Sequence, residues 1–600
     1  MKVLLGSLTG LIAFVALAAC ASAGVQSIWA ASDGDKVKRD DLAHHARQAN
    51  SVWDGHRVSM VAARNEIVAF QVIVEADQDG IEELAISLDR LRTTSGGAAI
   101  RYRPPGEDPS NYVGRDIEIF TQNYMHITRP SQASWVFRPG TPAAPQDWLG
   151  WVPVQLVPEN ATPGRGGMPV KVEPRQNQAF WIDIYTRRDL PAGMYYGSVR
   201  VCADGESIEL PVELEVYDFT LPDEGGLPTM VYYEPYQPEL YQGQNLDARY
   251  HRFARRNRVE LVHRYDERSA VSARGRFTGE DFTRANGYEG PGEGLGNRII
   301  PASFYSPIRE YSDRDFAWRH SDRWMTFLAR EFPNAITFMY MPDEPRPARY
   351  PEIIEMAANI HSNPGPGGNL PVFVTKRVVE ELDGSIDIWC APVGGNNVEA
   401  QAAQQALGRE VWVYNGGRPG GGSIIIDAPA TDARATIWAC FKHGIDGYFY
   451  WHGVHWHHNS QKQGERLQNV WGYPVTFDNR YQPGMSEEDR GGIMGDGVLM
   501  YPGTDVQHPE QDRGIMGPIS TIQLANFRRG LQDYLYLAKA RELGLDDAVD
   551  EALERIVPKV FSEAEATVSF PQIGDPYEEV RRELAVKIAE MLREREGRND

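Results

Sequence analysis

Cysteine is scarce: the chain has four in 600 residues and no Cys-x-x-Cys pair. That count argues against a disulfide-built scaffold and offers no thiolate metal centre. With Cys20 set aside as part of the leader, Cys202, Cys390 and Cys440 form an odd set that allows at most one bridge. Positive charge is also short. Lys and Arg number 61 against 83 Asp and Glu, a formal charge of −22. Phosphate backbones are held by clustered Lys and Arg, so no nucleic-acid partner is expected. The same sign disfavours an anionic polysaccharide, and a neutral ligand fits best. Past the first two dozen residues no apolar run reaches the roughly 20 residues of a membrane span. No solenoid-length repeat is visible. The glycine-rich "NGGRPGGGS" (415–423) lacks the Lys-Ser/Thr of a phosphate loop. Neither a cofactor nor a metal is expected.

The start of the chain, "MKVLLGSLTGLIAFVALAACASAG", reads as a signal peptide over 1–23. Lys2 precedes a short apolar stretch followed by small residues. "LAAC" has the form of a bacterial lipobox, which makes Cys20 a lipidation site; "ASA" before Gly24 offers ordinary cleavage instead. Either way the mature chain is expected outside the cytoplasm, secreted or on a membrane through that lipid alone.

Six hundred residues exceed one hydrophobic core, so a multi-domain chain is expected. Residues 25–55 are polar and read as an extended lead-in. Over 56–222, runs such as "EIVAFQVIVEA" and "QAFWIDIYT" are rich in β-branched and aromatic residues. "SIELPVELEV" places Ile208, Leu210, Val212, Leu214 and Val216 on one face. This predicts an N-terminal antiparallel β-sandwich. After the Leu-Pro pairs of 219–228 the rhythm changes to short apolar strands alternating with helices. Candidate strands fall at 229–234, 257–263, 298–305, 335–341, 370–375, 387–392, 410–415 and 446–452, which predicts a central (β/α)8 TIM-like barrel over 229–518. A helix near 320–332 has Ser321 as its candidate cap, and the glycine-rich 284–297 reads as a rim loop. Residues 519–600 read as a C-terminal helical extension.

The chemistry is concentrated in "YMPDEP" (340–345), where Asp343 and Glu344 stand together at the end of an apolar strand. Neighbouring side chains on a strand point to opposite faces. Pro342 and Pro345 predict a kink that lets both carboxylates reach the mouth. Two carboxyls in unlike surroundings can divide acid and base roles. The competing reading makes Asp343 the cap of the next helix and Glu344 a partner of its dipole.

"YMPDEP", "VWVYNGG" (411–417), "GIDGYFYW" (444–451), "GDGVLMYPG" (495–503) and "FRRGLQDYLYL" (527–537) occur in an order and spacing that resemble glycoside hydrolase family 123. The resemblance implies a retaining β-N-acetylgalactosaminidase in which the substrate's own 2-acetamido oxygen attacks the anomeric carbon. It also implies Glu344 as general acid/base and Asp343 as the group that orients the acetamido and stabilises the intermediate. Other candidates for substrate contact are Tyr340, Tyr414, Asn415, Trp451, His452 and Trp456, with Trp389 at the end of the sixth strand. Aromatic rings at a strand mouth suit stacking on a sugar; each is equally at home in a core. The loop "WHGVHWHHN" does not have a metal-ligand spacing. A glycan substrate is the expected partner.

Overall fold

The computed structural model describes residues 24–131, 135–137, 140–457, 467–472, 475–478 and 492–597. The leader with Cys20, and His458 of the histidine loop, lie outside these. The chain is multi-domain and rich in sheet. One seven-stranded sheet runs, edge to edge, Val25–Ser32, Glu66–Ala76, Asn177–Thr186, Ile117–Ile127, Gly150–Pro158, Pro518–Thr521 and Met500–Pro502. A second is built on Val58–Arg64, Glu206–Thr220, Gly193–Ala203, Ile81–Ser87 and Val170–Val172. Their facing residues share one core, with Phe70, Val72 and Ile182 from the first sheet and Val199, Val212 and Leu214 from the second. The period-two face of Glu206–Thr220 is buried from Leu210 to Val216, whereas Ile208, near the hairpin tip, is exposed. One pair in this second sheet, Val58–Arg64 with Glu206–Thr220, is parallel. The polar lead-in is not merely extended: Val25–Ser32 pairs antiparallel with Glu66–Ala76 along its whole length.

The middle of the chain forms a sheet of parallel strands: Thr229–Tyr232, Glu260–Val262, Met339–Tyr340, Val372–Val374, Ile388–Pro392, Glu410–Tyr414 and Gly447–Tyr450. Thr229–Tyr232 neighbours both Glu260–Val262 and Gly447–Tyr450, so the first strand in sequence lies beside the last. The expected strand at 298–305 is present as an extended segment, not a regular strand. Ile300 and Ala302 donate to the carbonyls of Ile336 and Phe338 at 2.9 Å. On its other side Glu260 Oε2 accepts from the amides of Arg298 and Ile299. Pro301 has no amide hydrogen to offer a ladder. Aromatic and aliphatic side chains, among them Met230, Phe304, Phe338, Phe373, Trp412 and Phe449, fill one side of this sheet.

Two local expectations are corrected. The helix Arg314–Glu331 is capped by Asp313, which accepts from the Phe316 amide, and Ser321 lies buried inside it. The 284–297 stretch precedes a strand and therefore packs at the amino-terminal ends, away from the carboxylate pair. There Gly292 donates to Asp223 and Arg255 to Asn297, beside a cleft of about 450 Å³ that Thr229, Glu260, Arg298 and Ala335 help to line.

The helix Ile522–Glu542 joins all these parts, and "FRRGLQDYLYL" is its buried face. Arg529 pairs with Asp33 at 2.6 Å, Glu66 at 3.2 Å and Glu578 at 3.0 Å. Asp533 receives Arg434 from the helix Thr431–Lys442 and the Trp438 indole. Arg581, from the helix Asp575–Gly597, reaches Glu66 at 2.6 Å. Gly530 lets the helices touch: a Cβ there would stand 3.1 Å from Arg434 Cα. Four carboxylates (Asp33, Glu66, Asp533, Glu578) thus meet three guanidinium groups with almost no solvent. The excess negative charge falls on groups that favour a proton. Burial pushes Asp33 up to about 7 against the pull of Arg529.

Removing one partner leaves the others charged and dry, so Arg434→Ala is expected to cost about 3–5 kcal/mol in chemical denaturation. Asp33 adds a pH dependence. Its folded value lies above the ordinary 3.8, so the native state holds this proton more tightly than the unfolded chain. The stabilisation is complete below about pH 4 and is lost as pH rises through about 7. The denaturation midpoint should therefore fall between pH 5 and 8, and Asp33→Asn should flatten that slope.

Candidate active site

The carboxylate pair stands at the carboxyl-terminal end of Met339–Tyr340. The last ladder bond there is Met341 N–H to Phe373 O, 2.8 Å. Pro342 then ends donation, and Glu344 adopts a left-handed conformation with φ 41°. A non-glycine residue in that region is strained by roughly 1–2 kcal/mol. The reversal breaks the alternation that would send the two side chains apart.

Thr375, the residue after Val372–Val374, locks this turn from the next strand. Its hydroxyl donates to Asp343 Oδ1 at 2.9 Å and accepts the Glu344 amide at 2.9 Å. The Tyr340 phenol also donates to Asp343 Oδ1, at 2.7 Å. Both donors land on one oxygen, and among the described residues no hydrogen bond reaches Oδ2. Glu344 is held from the opposite side: the Tyr414 phenol donates to its Oε1 at 2.6 Å. The capping reading of Asp343 therefore fails. The following turns, Pro347–Arg349 and Tyr350–His361, begin without any side-chain cap bond.

Asp343 and Glu344 are solvent-accessible as residues, but protein crowds the Asp343 carboxyl. Burial raises its pKa, the Tyr340 and Thr375 hydrogen bonds oppose the rise, and the neighbouring Glu344 charge adds to it. The two carboxyls thus have different partners, Tyr340 and Thr375 on Asp343 and Tyr414 on Glu344. Burial and the facing carboxylates also drive the Tyr340, Tyr414 and Tyr305 phenols above their ordinary values, so they remain donors.

Three strand ends converge on this mouth through non-glycine residues in the left-handed region: Tyr305 (φ 57°), Glu344 and Asn415 (φ 58°). Asn415 Oδ1 accepts the Trp451 amide at 3.1 Å, and the Tyr305 phenol bonds the Trp451 carbonyl. Trp451 is half-buried, and its indole N–H donates to Asp496 Oδ1 at 2.9 Å. Tyr450 donates to the same oxygen. His452 is buried. The Val454 amide donates to its Nδ1, which leaves the proton on Nε2, 3.2 Å from Glu234 Oε2. Burial lowers the His452 pKa against the pull of Glu234. Glu234 is itself shifted: burial would raise it, yet the bonds from His452, Gln237 and Tyr232 bring it below its ordinary value.

Of the residues singled out in the sequence, Asp343, Glu344, Tyr340, Tyr414, Asn415, Trp451 and His452 lie at these strand ends. Two do not belong. Trp389 is fully buried among the helices on the other side of the sheet, its indole on Gln404. Trp456 is equally buried, packed on Tyr241 with its indole on the Met500 carbonyl. Four groups escaped the sequence reading: Tyr305, Thr375, Glu234 and Asp496. Tyr305, Thr375 and Glu234 stand at or just past the end of a parallel segment, where the rule that pointed to Asp343 would have found them. Asp496 was visible only inside "GDGVLMYPG".

Among the described residues one set of side chains lies close enough to share a metal ion, Asp35, His44 and His45, with ligand atoms within 4.8 Å of one another. None of the three belongs to the mouth.

No protein-family model and no curated protein matches the chain. Among solved structures, the fold is similar to that of a family 123 glycoside hydrolase from Clostridium perfringens, described for glycolipid glycan hydrolysis. The TM-score is 0.62, with 95% of this chain and 98% of that one covered at 14% identity. The fold of the chain is therefore that of this glycoside hydrolase. A β-glucuronidase from Parabacteroides merdae covers 62% of this chain and 47% of its own at 10% identity, with a TM-score of only 0.22.

Thr375 gives the geometry its test. Thr375→Val removes a bond to the ionised form of Asp343, so the Asp343 carboxyl should titrate at a still higher pH. A carboxyl-carbon NMR titration of both proteins checks this, and an unchanged or lower midpoint contradicts the assigned bond.

Proposed function

We propose that the chain is a glycoside hydrolase, a retaining exo-β-N-acetylhexosaminidase of galacto type that uses the substrate's acetamido group as nucleophile. The observation that carries the reading is the adjacent pair Asp343–Glu344, each held by a separate phenol on a left-handed turn at a parallel-strand end. The resemblance of the sequence motifs and the likeness of fold to a family 123 enzyme support it. In this reading the eight parallel segments form a (β/α)8 barrel with its site on the carboxyl-terminal rim. The two N-terminal sheets form a sandwich.

The roles follow from the hydrogen bonds. Glu344, its Oε1 held by Tyr414, is the general acid that gives a proton from Oε2 to the departing glycosidic oxygen. The C1–O bond breaks as the acetamido oxygen forms a bond to C1 from the opposite face. Asp343 Oδ2 accepts the amide N–H and stabilises the positive charge of the oxazolinium intermediate, while Tyr340 and Thr375 keep the carboxylate from turning away. Glu344, now ionised, takes a proton from water that attacks C1 and reopens the ring. Two inversions give retention, the outcome of acetamido-assisted glycosidases, which lack a protein nucleophile. The neutral substrate accords with the charge of −22.

Glu234 supplies a second reading, a glycosidase for sugars without an acetamido group, because it is a further carboxylate at the mouth. Location belongs to the proposal as well: cleavage before a lipidated Cys20 would hold the enzyme on the outer side of a membrane. No described helix is long and apolar enough to cross one.

On aryl β-N-acetylgalactosaminides, Glu344→Gln should lower turnover by about 10²–10⁴-fold for poor leaving groups and much less for activated ones. Asp343→Asn should impair both classes. A thiazoline mimic of the cyclised intermediate should inhibit the wild type tightly; absence of inhibition alongside hydrolysis of the unsubstituted β-galactoside would favour the Glu234 reading. Binding of glycan with no product from any aryl glycoside would reduce the protein to a surface lectin.

A further inference from the structure

The cleft of about 450 Å³ at the amino-terminal ends of the parallel segments is lined by three arginines, Arg255, Arg258 and Arg298. Thr229, Glu260, Arg298 and Ala335 stand where those segments begin, so the cleft lies at the opposite end of the strands from Asp343 and Glu344. Neutral contacts tie the three side chains to one floor. Arg258 donates to the Pro222 carbonyl at 2.9 Å and to the Asn65 carbonyl at 2.8 Å. Asp223, the residue after Pro222, accepts the Gly292 amide at 3.0 Å. Arg255 runs along that glycine, where a Cβ would stand 2.9 Å from its Cδ and 3.3 Å from its Nη1. The same guanidinium donates to Asn297, the neighbour of Arg298.

Among the described residues none of these three arginines forms an ion pair. The contrast with their surroundings is sharp. Arg256, next to Arg255 on the helix Asp247–Arg256, meets Glu118 at 2.9 Å, and Arg528 meets Asp183 at 2.7 Å. The Nε atoms of Arg255 and Arg258 are buried and have no hydrogen-bond partner among the described residues. Burial lowers the pKa of both; at Arg255 the charge of Glu260 opposes the fall and that of Arg298 adds to it. The carboxylates that line the cleft do not fill the deficit. Asp223 is taken by Asn65 at 2.7 Å and by Arg188. Glu260 accepts the amides of Arg298 and Ile299 through one oxygen. Glu331 pairs with Arg274 and with Arg330, and Glu224 is exposed. A chain of charge −22 thus keeps a local excess of positive charge here, and local field rather than net charge decides what a cleft attracts.

We propose that this cleft binds a small oxyanion, a phosphate, sulfate or carboxylate group borne on a ligand of about sugar size, with Arg255 and Arg298 as its principal donors and Arg258 behind them. A guanidinium presents its donors in a planar fork that matches two oxygens of such a group. The bound anion would supply the counter-charge that the fold leaves out. The volume is that of a small-molecule site, and Thr278 and Asn334 on its lining offer neutral donors to the body of the ligand. The site is separate from the carboxylate pair, and the proposal does not depend on the glycosidase reading.

The test is calorimetric titration of the full-length protein with phosphate, sulfate and acetate, each at an ionic strength held constant with sodium chloride. At least one anion should bind with one site per chain, and the order of the three identifies the group preferred. A hydrogen bond to a charged group contributes about 1.5–3 kcal/mol, so Arg255→Gln and Arg298→Gln should each weaken binding about tenfold or more. Arg298 is half-buried, so its variant serves should Arg255→Gln, which loses the Asn297 bond, fail to fold. Arg90→Gln, which removes an exposed arginine of the N-terminal unit, and Glu344→Gln, at the far end of the strands, should leave binding unchanged. No binding of any of the three anions would overturn the proposal. So would binding that survives substitution of both Arg255 and Arg298, or that Arg90→Gln weakens as much.

Discussion

Arg529 and the carboxylates around it are the constraint on which the architecture turns. A guanidinium group buried to 1% exposure is tolerable only where its charge and donors are met. Here they are met by Asp33 and Glu66 from the N-terminal sheet and Glu578 from the last helix, while Asp533 ties in Arg434 behind the parallel strands. An apolar junction of equal size would tolerate sliding, because dispersion and hydrophobic burial have little direction. Paired charges do not. A shift of one residue along Ile522–Glu542 would strand several ions at once, so the network selects a single arrangement of sheet, parallel strands and tail.

That arrangement reaches the mouth by short routes. Ile522–Glu542 is preceded directly by Pro518–Thr521, which pairs with both Gly150–Pro158 and Met500–Pro502. Just before the latter comes Asp496, the anchor of Trp451. Fixing the helix therefore fixes the strands that carry the anchor. At the mouth the left-handed turns at Tyr305, Glu344 and Asn415 each carry strain of the order of 1–3 kcal/mol. Such conformations persist only where surroundings over-determine them, and each is tied by bonds from another strand: Thr375 to Glu344, Trp451 to Asn415, and Tyr305 to Trp451. The benefit is pre-organisation: the phenols that hold the two carboxylates are in place before any ligand arrives.

Much of this was legible from residue order. Proline on both sides of Asp343–Glu344 announced a broken strand, and the parallel segments were found by their length and apolar content. What the sequence hid was partnership. Trp389 and Trp456 read as mouth aromatics, yet both face cores: Trp389 is the second residue of Ile388–Pro392, not its end, and Trp456 lies six residues past Gly447–Tyr450. Thr375 looks like any threonine after a valine-rich strand; its role exists only once the neighbouring strand brings Asp343 beside it. "FRRGLQDYLYL" lies in a stretch that reads as helical, and helix period alone does not say whether its charges are solvated or buried. Its arginines are buried because their partners come from far away in sequence: Asp183 for Arg528, and Asp33, Glu66 and Glu578 for Arg529.

The same reasoning bears on whether the N-terminal sheets are a detachable module. Glu66 is fully buried and receives Arg529, Arg581 and the Tyr536 phenol. Cut away from the rest, the sheet would expose this carboxylate along with Asp33. The remainder would keep two buried guanidinium groups short of counter-charge. It would also lose the segment whose Ser131 bonds Asp427 and whose Val136 carbonyl accepts the Arg418 amide. The cost of separation therefore falls on both sides of the cut, in the same few ions. A unit bound this way does more than accompany the site: its Ser131 hydroxyl accepts the Met494 amide two residues before Asp496, the carboxylate that holds the Trp451 indole, so the junction that stabilises the fold also bears on the aromatic wall of the mouth.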